Sequence, residues 1–518
     1  MALSPQIDRS AVQWLGLFAG PVLALVCAAG LPSSYAGAEG DVVAVTAAGR
    51  ATVAVLVWMA VWWLTEAIDI FATALLPVAV FPLVGAADVE AAAAPYASEL
   101  IFLFMGGFLI ALAMQRWRLD QRVALRTLRL VGTRPARMVG GFMLATAFLS
   151  AFVSNTATAA MMLPIALSVI DLVTGREREE GDAPRGSLPS GDGRNFGLCL
   201  MLGIAYAASI GGIATIIGTP PNGILVQFVA DRIAEPYRQE IGFARWLLVG
   251  GPLAAVFLPL AWLLLTRVLH PIRIERVEGG RELIEARLRR LGPPGRGERA
   301  VAVVFAVTAA AWILRPLLTG VEVAGLRPLA GLSDAGIAML AGLSLFVIPV
   351  EVRERRFVLD WHTARKLPWG ILILFGGGLS LAAAIQANGV AELIGAQVMT
   401  LQGAPPLLLI VAVATLVIFL TELTSNTATT ATLVPILAGI AVGLGYHPLL
   451  LIVPAAVAAS CAFMMPIATP PNAIVFGSGL VTIPQMCRAG FWLNLLGVAL
   501  VTLLMYAVAI PLLGIAGG

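Results

Sequence analysis

The chain of 518 residues has little of what a soluble enzyme uses. Charged residues make up 12% of it, about half of the roughly 25% in an ordinary soluble domain. Lysine is almost missing: Lys366 stands alone, and every other basic side chain is arginine. The three histidines (His270, His362, His447) and four cysteines (Cys27, Cys199, Cys461, Cys487) are widely scattered. No C-x-x-C pair is present, which speaks against a zinc or thiol-redox centre and for inert buried thiols. No G-x-S-x-G, H-E-x-x-H or paired membrane aspartates are found, so the sequence does not read as an enzyme. The acids inside apolar segments are few, chiefly Glu66, Asp69 and Glu422, and a proton relay would need a chain of them. No long basic tail is present, so a nucleic-acid partner is not expected.

What the chain does have is apolar length. It is 59% hydrophobic, and its apolar runs recur at about the 20 residues needed to cross a bilayer. Eleven spans are expected near 12–31, 51–65, 67–84, 98–116, 197–230, 244–267, 300–318, 334–350, 368–387, 449–480 and 490–514. Two further apolar regions, 138–173 and 405–444, are interrupted. Ala36-Gly37-Ala38 resembles a leader cleavage site, but Asp8 and Arg9 leave the preceding segment without net positive charge. The first run is therefore read as a membrane helix. Arginine clusters at 116–137, 267–299 and 351–367 fall on one face of this topology. The positive-inside rule makes that face cytoplasmic, with the N-terminus inside and the C-terminus outside a cell (inner or plasma) membrane. Arg118, Arg122, Arg126 and Arg129 recur at helical spacing, which suggests a surface helix with guanidinium groups reaching lipid headgroups. The polar segment 174–195 reads as a mobile cytoplasmic loop.

The sequence repeats itself. Leu103-Phe104-Met105-Gly106-Gly107 resembles Leu374-Phe375-Gly376-Gly377-Gly378. Ser154-Asn155-Thr156-Ala157-Thr158 returns as Ser425-Asn426-Thr427-Ala428-Thr429, and Gly218-Thr219-Pro220-Pro221-Asn222 as Ala468-Thr469-Pro470-Pro471-Asn472. The matched spans start on opposite faces, so the repeats are inverted, as in many secondary transporters.

Both motifs interrupt helices inside the membrane. Each Ser-Asn-Thr triplet lies mid-way along an apolar region whose halves look too short to span. A re-entrant hairpin with the triplet at its tip is expected, tolerated at that depth only against protein or a water-filled cavity. Each Thr-Pro-Pro-Asn removes two N–H donors and opposes the carbonyls four residues earlier. Each should split its span into two half-helices, the second starting at the prolines. Such breaks present carbonyls suited to a hard cation and N–H groups suited to an anion. No arginine or lysine lies within these elements away from their ends. A bound anion would have to be held by dipoles, amides, hydroxyls and co-bound cations.

These residues resemble the divalent anion:sodium symporters (DASS), a family of dicarboxylate, citrate and sulfate carriers. Trp63-Leu64-Thr65-Glu66-Ala67, Ala74-Leu75-Leu76-Pro77, both triplets, both Thr-Pro-Pro-Asn breaks and the run Ala459 to Ala468 with Asn472-Ala473-Ile474-Val475 carry the resemblance. It implies an all-α membrane protein of about eleven transmembrane helices and two re-entrant hairpins in inverted repeats, working as an elevator-type homodimer. It also implies two sodium sites, one at Ser150, Ser154, Asn155 and Gly218, the other at Thr421, Thr424, Asn426 and Ala468. A small divalent anion would touch Ser154, Asn155, Thr156, Thr219, Pro220, Ser425, Asn426, Thr427, Thr469 and Pro470. The partners implied are that anion, sodium ions, the lipid bilayer and a second copy of the chain. Intact triplets favour C4-dicarboxylates over sulfate or citrate, and paired cation sites favour symport over sodium-independent exchange. The expected layout is N-terminal scaffold helices (1–97), a first repeat core (98–230) with hairpin 138–173 and break 218–222, and connecting scaffold helices (231–366) with linker 267–299. A second core (367–480) with hairpin 405–444 and break 468–472 follows, then a last helix (481–518).

Overall fold

The computed structural model describes residues 10–36, 42–132, 134–174, 192–274, 279–322, 326–397 and 403–515. Residues 175–191 of the loop expected to be mobile lie outside them. Helices dominate, with two short antiparallel strand pairs, Ser34–Ala36 with Val42–Ala44 and Pro349–Glu351 with Arg356–Phe357. Among the described residues, ten helices are long and apolar enough to cross a membrane. The chain is a multi-pass membrane protein.

Both interrupted regions are helical hairpins. The first runs Pro135–Ser150 and Asn155–Thr174, the second Pro406–Thr421 and Asn426–Gly443. Their outgoing helices have 20 and 18 residues, so the expectation that each half is too short to span is wrong for these two. The chain still doubles back at residues 151–154 and 422–425, where Ser154 and Ser425 cap the next helix by accepting from Ala157 N–H (3.2 Å) and Ala428 N–H (3.4 Å). It is the capped reversal, and not shortness, that makes each a hairpin.

The spans expected at 197–230 and 449–480 are broken. Asp192–Ile213 gives way to Pro220–Asp231, and Leu449–Ala459 to Pro470–Phe476. In both cases the new helix starts on the first proline of the motif, where its missing N–H costs nothing. The span expected at 67–84 is also discontinuous, as Ile70–Thr73 and Leu76–Val84. Pro77 is the second residue of the later piece, where its missing N–H is likewise no loss.

The repeats interlock. The second half of the first broken helix (Pro220–Asp231) packs on the second hairpin, and the second half of the other (Pro470–Phe476) packs on the first hairpin. Each hairpin thus rests on a half-helix lent by the opposite repeat. Packing within a repeat is close as well: a Cβ on Gly211 would sit 2.2 Å from the Ala147 carbonyl oxygen, so only glycine lets the first broken helix meet its hairpin. The helices that end each repeat, Phe243–Leu263 and Ile483–Leu504, both widen into π-helix, at Leu264–Leu269 and Met505–Ala509.

The arginine-striped segment forms a helix, Leu119–Val131. Arg126 and Arg129 are exposed, but Arg122 is buried and pairs with Glu298 through both carboxylate oxygens, the second at 3.0 Å. The expectation that Arg122 reaches headgroups is therefore corrected: it ties this helix to the start of Arg296–Leu318. Arg116 and Trp117 fix the same end, to Asp360 at 2.7 Å and to the Val358 carbonyl at 2.8 Å.

Candidate functional site

The first break places a ring of oxygens around the first hairpin tip. Ser150, the last residue before the turn, donates to the Ala208 carbonyl at 2.7 Å and also contacts Asn155 Oδ1. The Thr215 hydroxyl donates to the Ala151 carbonyl and accepts from Gly218 N–H at 3.1 Å. A Cβ on Gly212 would lie 2.9 Å from Asn155 Oδ1 and 3.0 Å from the Gly218 carbonyl. Ser150, Asn155 and Gly218, three of the four residues expected at the first cation site, thus come together. Ser154 is used as the helix cap.

The second break repeats this arrangement. Thr421 donates to Asn426 Oδ1 at 2.6 Å and reaches the Ala459 carbonyl at 3.2 Å. Thr424 bonds the Leu420 carbonyl at 2.9 Å and the Thr429 hydroxyl at 2.7 Å. Ala468 is placed by its N–H bond to the Met465 carbonyl at 3.2 Å.

Two asparagines hold the breaks open. Asn222 donates to the carbonyls of Gly212, Ile213 and Thr215 at 3.2, 3.1 and 2.8 Å. Asn472 donates to those of Ala462 and Met465 at 3.2 and 3.0 Å. Their amide nitrogens thus take up carbonyls that a continuous helix would have bonded. The Oδ1 atoms of both are buried and have no donor. A buried acceptor without a donor is costly unless a cation or a water completes it. Asn155 Oδ1 likewise faces only acceptors; with its amide turned over, the nitrogen would donate to Ala208 and Gly218 carbonyls at 3.1 and 3.3 Å. Clusters of neutral hydroxyl, amide and carbonyl oxygens suit a hard monovalent ion. Among the described residues no group of three or more His, Cys, Asp or Glu could hold a metal ion.

At the second tip stands a carboxylate, Glu422. Its carboxylate accepts from the N–H groups of Phe463, Met464 and Met465 at 2.7–3.0 Å and from the Asn494 amide at 2.7 Å. It is a brace from hairpin to unwound segment to the helix Ile483–Leu504. From the sequence this role was open. The missing signal is long-range: 41 residues separate Glu422 from Phe463. Thr215, Ala151, Ala208, Ala459 and the two break asparagines are also absent from the sequence-based site.

The expected anion-contact residues flank the two hairpin tips and the two breaks. Thr219 and Thr469 are buried, Asn155, Ser425, Asn426 and Thr427 half-buried, and Thr156 and Pro470 exposed. The Ser460 hydroxyl reaches that of Thr219 at 3.5 Å. Contacts therefore run from tip to tip: Asn155 to Gly218, Thr219 to Ser460, Ala459 to Thr421 and on to Asn426. Four helices begin here, at Asn155, Pro220, Asn426 and Pro470. The two hairpin helices offer first-turn N–H groups to an acceptor, whereas the two that begin Pro-Pro have none at their first two positions and bond the third, of Asn222 and Asn472, to Thr219 and Thr469.

Comparison with known proteins shows the family and the fold. The family model described as the sodium:sulfate symporter transmembrane region matches residues 42–515. The sodium-dependent dicarboxylate transporter SdcS of Staphylococcus saprophyticus is 42% identical over 468 residues, covering 90% of this chain and 87% of that protein. SdcS of Staphylococcus aureus is 41% identical over 508 residues, covering 98% and 93%. In fold, the chain is similar to the YdaH transporter of Alcanivorax borkumensis (TM-score 0.58, 13% identity, 96% of this chain and 98% of that one). It is also similar to MtrF of Neisseria gonorrhoeae, titled an antimetabolite efflux pump (TM-score 0.60, 13% identity, 96% and 95%).

Proposed function

Because this chain belongs to the sodium:sulfate symporter family, we propose that it is a sodium-coupled symporter of C4-dicarboxylates such as succinate, malate or fumarate. The observation that carries the reading is the pair of neutral oxygen clusters at the two hairpin tips, joined by one seam. The relatives called sodium-dependent dicarboxylate transporters support the same cargo.

In this reading Ser150, Asn155 and Gly218 hold one sodium ion, with Ser154 capping the adjoining helix. Thr421, Thr424, Asn426 and Ala468 hold a second. The anion rests on Asn155, Thr156, Asn426 and Thr427 and on the Thr219-Pro220 and Thr469-Pro470 turns. With no fixed cation beside the seam, a dianion arriving alone would lose its hydration against dipoles only. Two sodium ions bound first supply the missing charge and fix the asparagine amides, so the anion binds after them. That order couples the two gradients.

Transport proceeds by an elevator motion within a homodimer, the two hairpins and broken helices sliding as one body. The packing supports a state open to the cytoplasm. The second hairpin is packed by the frame helices Ala47–Thr65 and Trp369–Ala387, whereas Asn155–Thr174 of the first is packed by its own partners and by Gly280–Leu291. The N-terminus is cytoplasmic and the C-terminus external.

The test is uptake of labelled succinate into proteoliposomes under an inward sodium gradient against an equal potassium gradient. Sodium-dependent uptake, competed by malate or fumarate, is expected. Uptake in neither salt would move the cargo to sulfate or citrate. Uptake in both salts only with anion inside would make the protein an exchanger.

A further inference from the structure

A cavity of about 810 Å³ lies away from the seam, between the end of Pro220–Asp231, the outer part of the second hairpin, and the helices Trp369–Ala387 and Val390–Gln397. Trp369–Ala387 begins beside Arg365 and Lys366 and ends at this cavity, so the cavity sits at the membrane face opposite the arginine-rich segments. Its volume is within the roughly 300–1,000 Å³ common for small-molecule sites. Its wall is apolar, with Phe228, Ile385, Pro435 and Ala438 buried behind it. Arg232 lines it half-buried, and its Nε is buried with no hydrogen-bond partner. The neighbouring Asp231 does not take that role in hydrogen bonding, because its carboxylate is bonded to the Gln227 amide. Two exposed carboxylates, Glu235 and Glu392, stand on the rim.

We propose that this cavity binds a phosphatidylethanolamine of the outer leaflet, its phosphate on Arg232, its ammonium on Glu235 or Glu392, and acyl chain against the apolar wall. The charges select this class. Asp231 attracts the Arg232 guanidinium through space but leaves its hydrogen-bonding capacity unfilled, so in an apolar pocket it takes a further anionic oxygen, and its planar fork suits phosphate. A lone dianion is opposed by the two rim carboxylates, whereas an ammonium a few atoms from the phosphate satisfies one of them. The lipid touches the second hairpin and Pro220–Asp231 on one side and Trp369–Ala387 on the other. Only this last point, that it bridges moving and fixed parts, rests on the proposed elevator motion.

The test reads binding and not transport. The full chain, purified in detergent, is incubated with palmitoyl-oleoyl phosphatidylethanolamine, phosphatidylglycerol or phosphatidylcholine, and retained lipid is measured by native mass spectrometry. Wild type should retain phosphatidylethanolamine best, since choline cannot donate hydrogen bonds and glycerol offers no cation. Arg232→Gln should lower retention about tenfold, as expected for losing one charge-assisted bond. Glu392→Gln, an exposed change that leaves folding intact, should narrow the preference for phosphatidylethanolamine over phosphatidylglycerol. Equal retention of the three lipids by wild type, or unchanged retention by Arg232→Gln, overturns the proposal. Either result leaves the symporter reading untouched, which stands on uptake.

Discussion

In the first break a side chain of the broken helix, Thr215, reaches a backbone carbonyl of the hairpin, Ala151. In the second a side chain of the hairpin, Glu422, reaches backbone N–H groups of the broken helix, at Phe463, Met464 and Met465. Duplication has kept the joint between hairpin and unwound segment while exchanging which strand of chain supplies the side chain. Residue 151, the counterpart of 422, is an alanine, and residue 465, the counterpart of 215, is a methionine. The two tips are therefore alike in the hydroxyl, asparagine and backbone carbonyl they offer a cation, at Ser150, Asn155 and Gly218 and at Thr421, Asn426 and Ala468, and unequal in what holds them. The first is braced by one neutral hydroxyl, and the second by a buried carboxylate that satisfies three N–H groups and an amide. Repeat symmetry here belongs to the site, and the braces are free to differ.

That comparison can be broken at three strengths. The largest effect is expected where the repeats agree. Asn155→Ala and Asn426→Ala should each reduce sodium-driven succinate uptake to background, while the size-exclusion profile stays that of the unmodified protein. Normal uptake by either variant would mean the seam is not the site. Next comes the brace of the second tip. Glu422→Ala strands three buried N–H groups, each costing about 1–3 kcal/mol when unsatisfied, so the purified protein should lose roughly 3–5 kcal/mol of stability. Thr215→Val in the first tip removes the hydroxyl from the Ala151 carbonyl, while the Gly218 N–H keeps the Thr215 carbonyl at 3.4 Å, and should cost about 1–2 kcal/mol. Denaturation of the two variants side by side reads the difference. Equal losses would mean that the braces carry the same load after all.

Much of the site was legible because proline and the Ser-Asn-Thr triplets act locally. Pro220 and Pro470 can start a helix but not continue one, so the breaks follow from the residues themselves. Ser154 and Ser425 cap the helix that begins beside them. The pairing of hairpin with break came from the family resemblance, which put Gly218 with Asn155 and Ala468 with Asn426. What escaped was whatever depends on contact between distant segments. Arg122 looked like a headgroup arginine because helical spacing says which face a side chain shares, not what covers that face; Glu298, 176 residues away, covers it. Glu422 could not be given its brace role for the same reason. The carbonyls of Ala151, Ala208 and Ala459 escaped because a backbone oxygen leaves no mark in the residue type. The break at Leu75 escaped because Pro77 lies inside an apolar run long enough to pass for one span.

The surface helices offer the gentlest way to separate the repeats. Leu119–Val131 and Val390–Gln397 begin at corresponding positions, yet the first has Asp120 and Arg122 where the second has Ala391 and Leu393. Arg122 is matched by Glu298. Asp120 is buried and receives the backbone N–H of Gln121, at 2.8 Å, and its own. Burial raises its pKa to about 6 against the opposing backbone bonds. A carboxyl whose pKa is raised on folding favours the folded state in its protonated form. Its contribution is complete below the unfolded value near 4 and is lost as the pH rises through about 6. Asp120→Asn keeps an oxygen for Gln121 and cannot ionise. Thermal melts of the two proteins should therefore coincide near pH 4 and separate by pH 8, with the variant more stable by about 3 kcal/mol. A wild type that holds its stability across that range would show that Asp120 finds a partner in the ionised state, and that the first arm tolerates a charge as readily as the second tolerates Ala391.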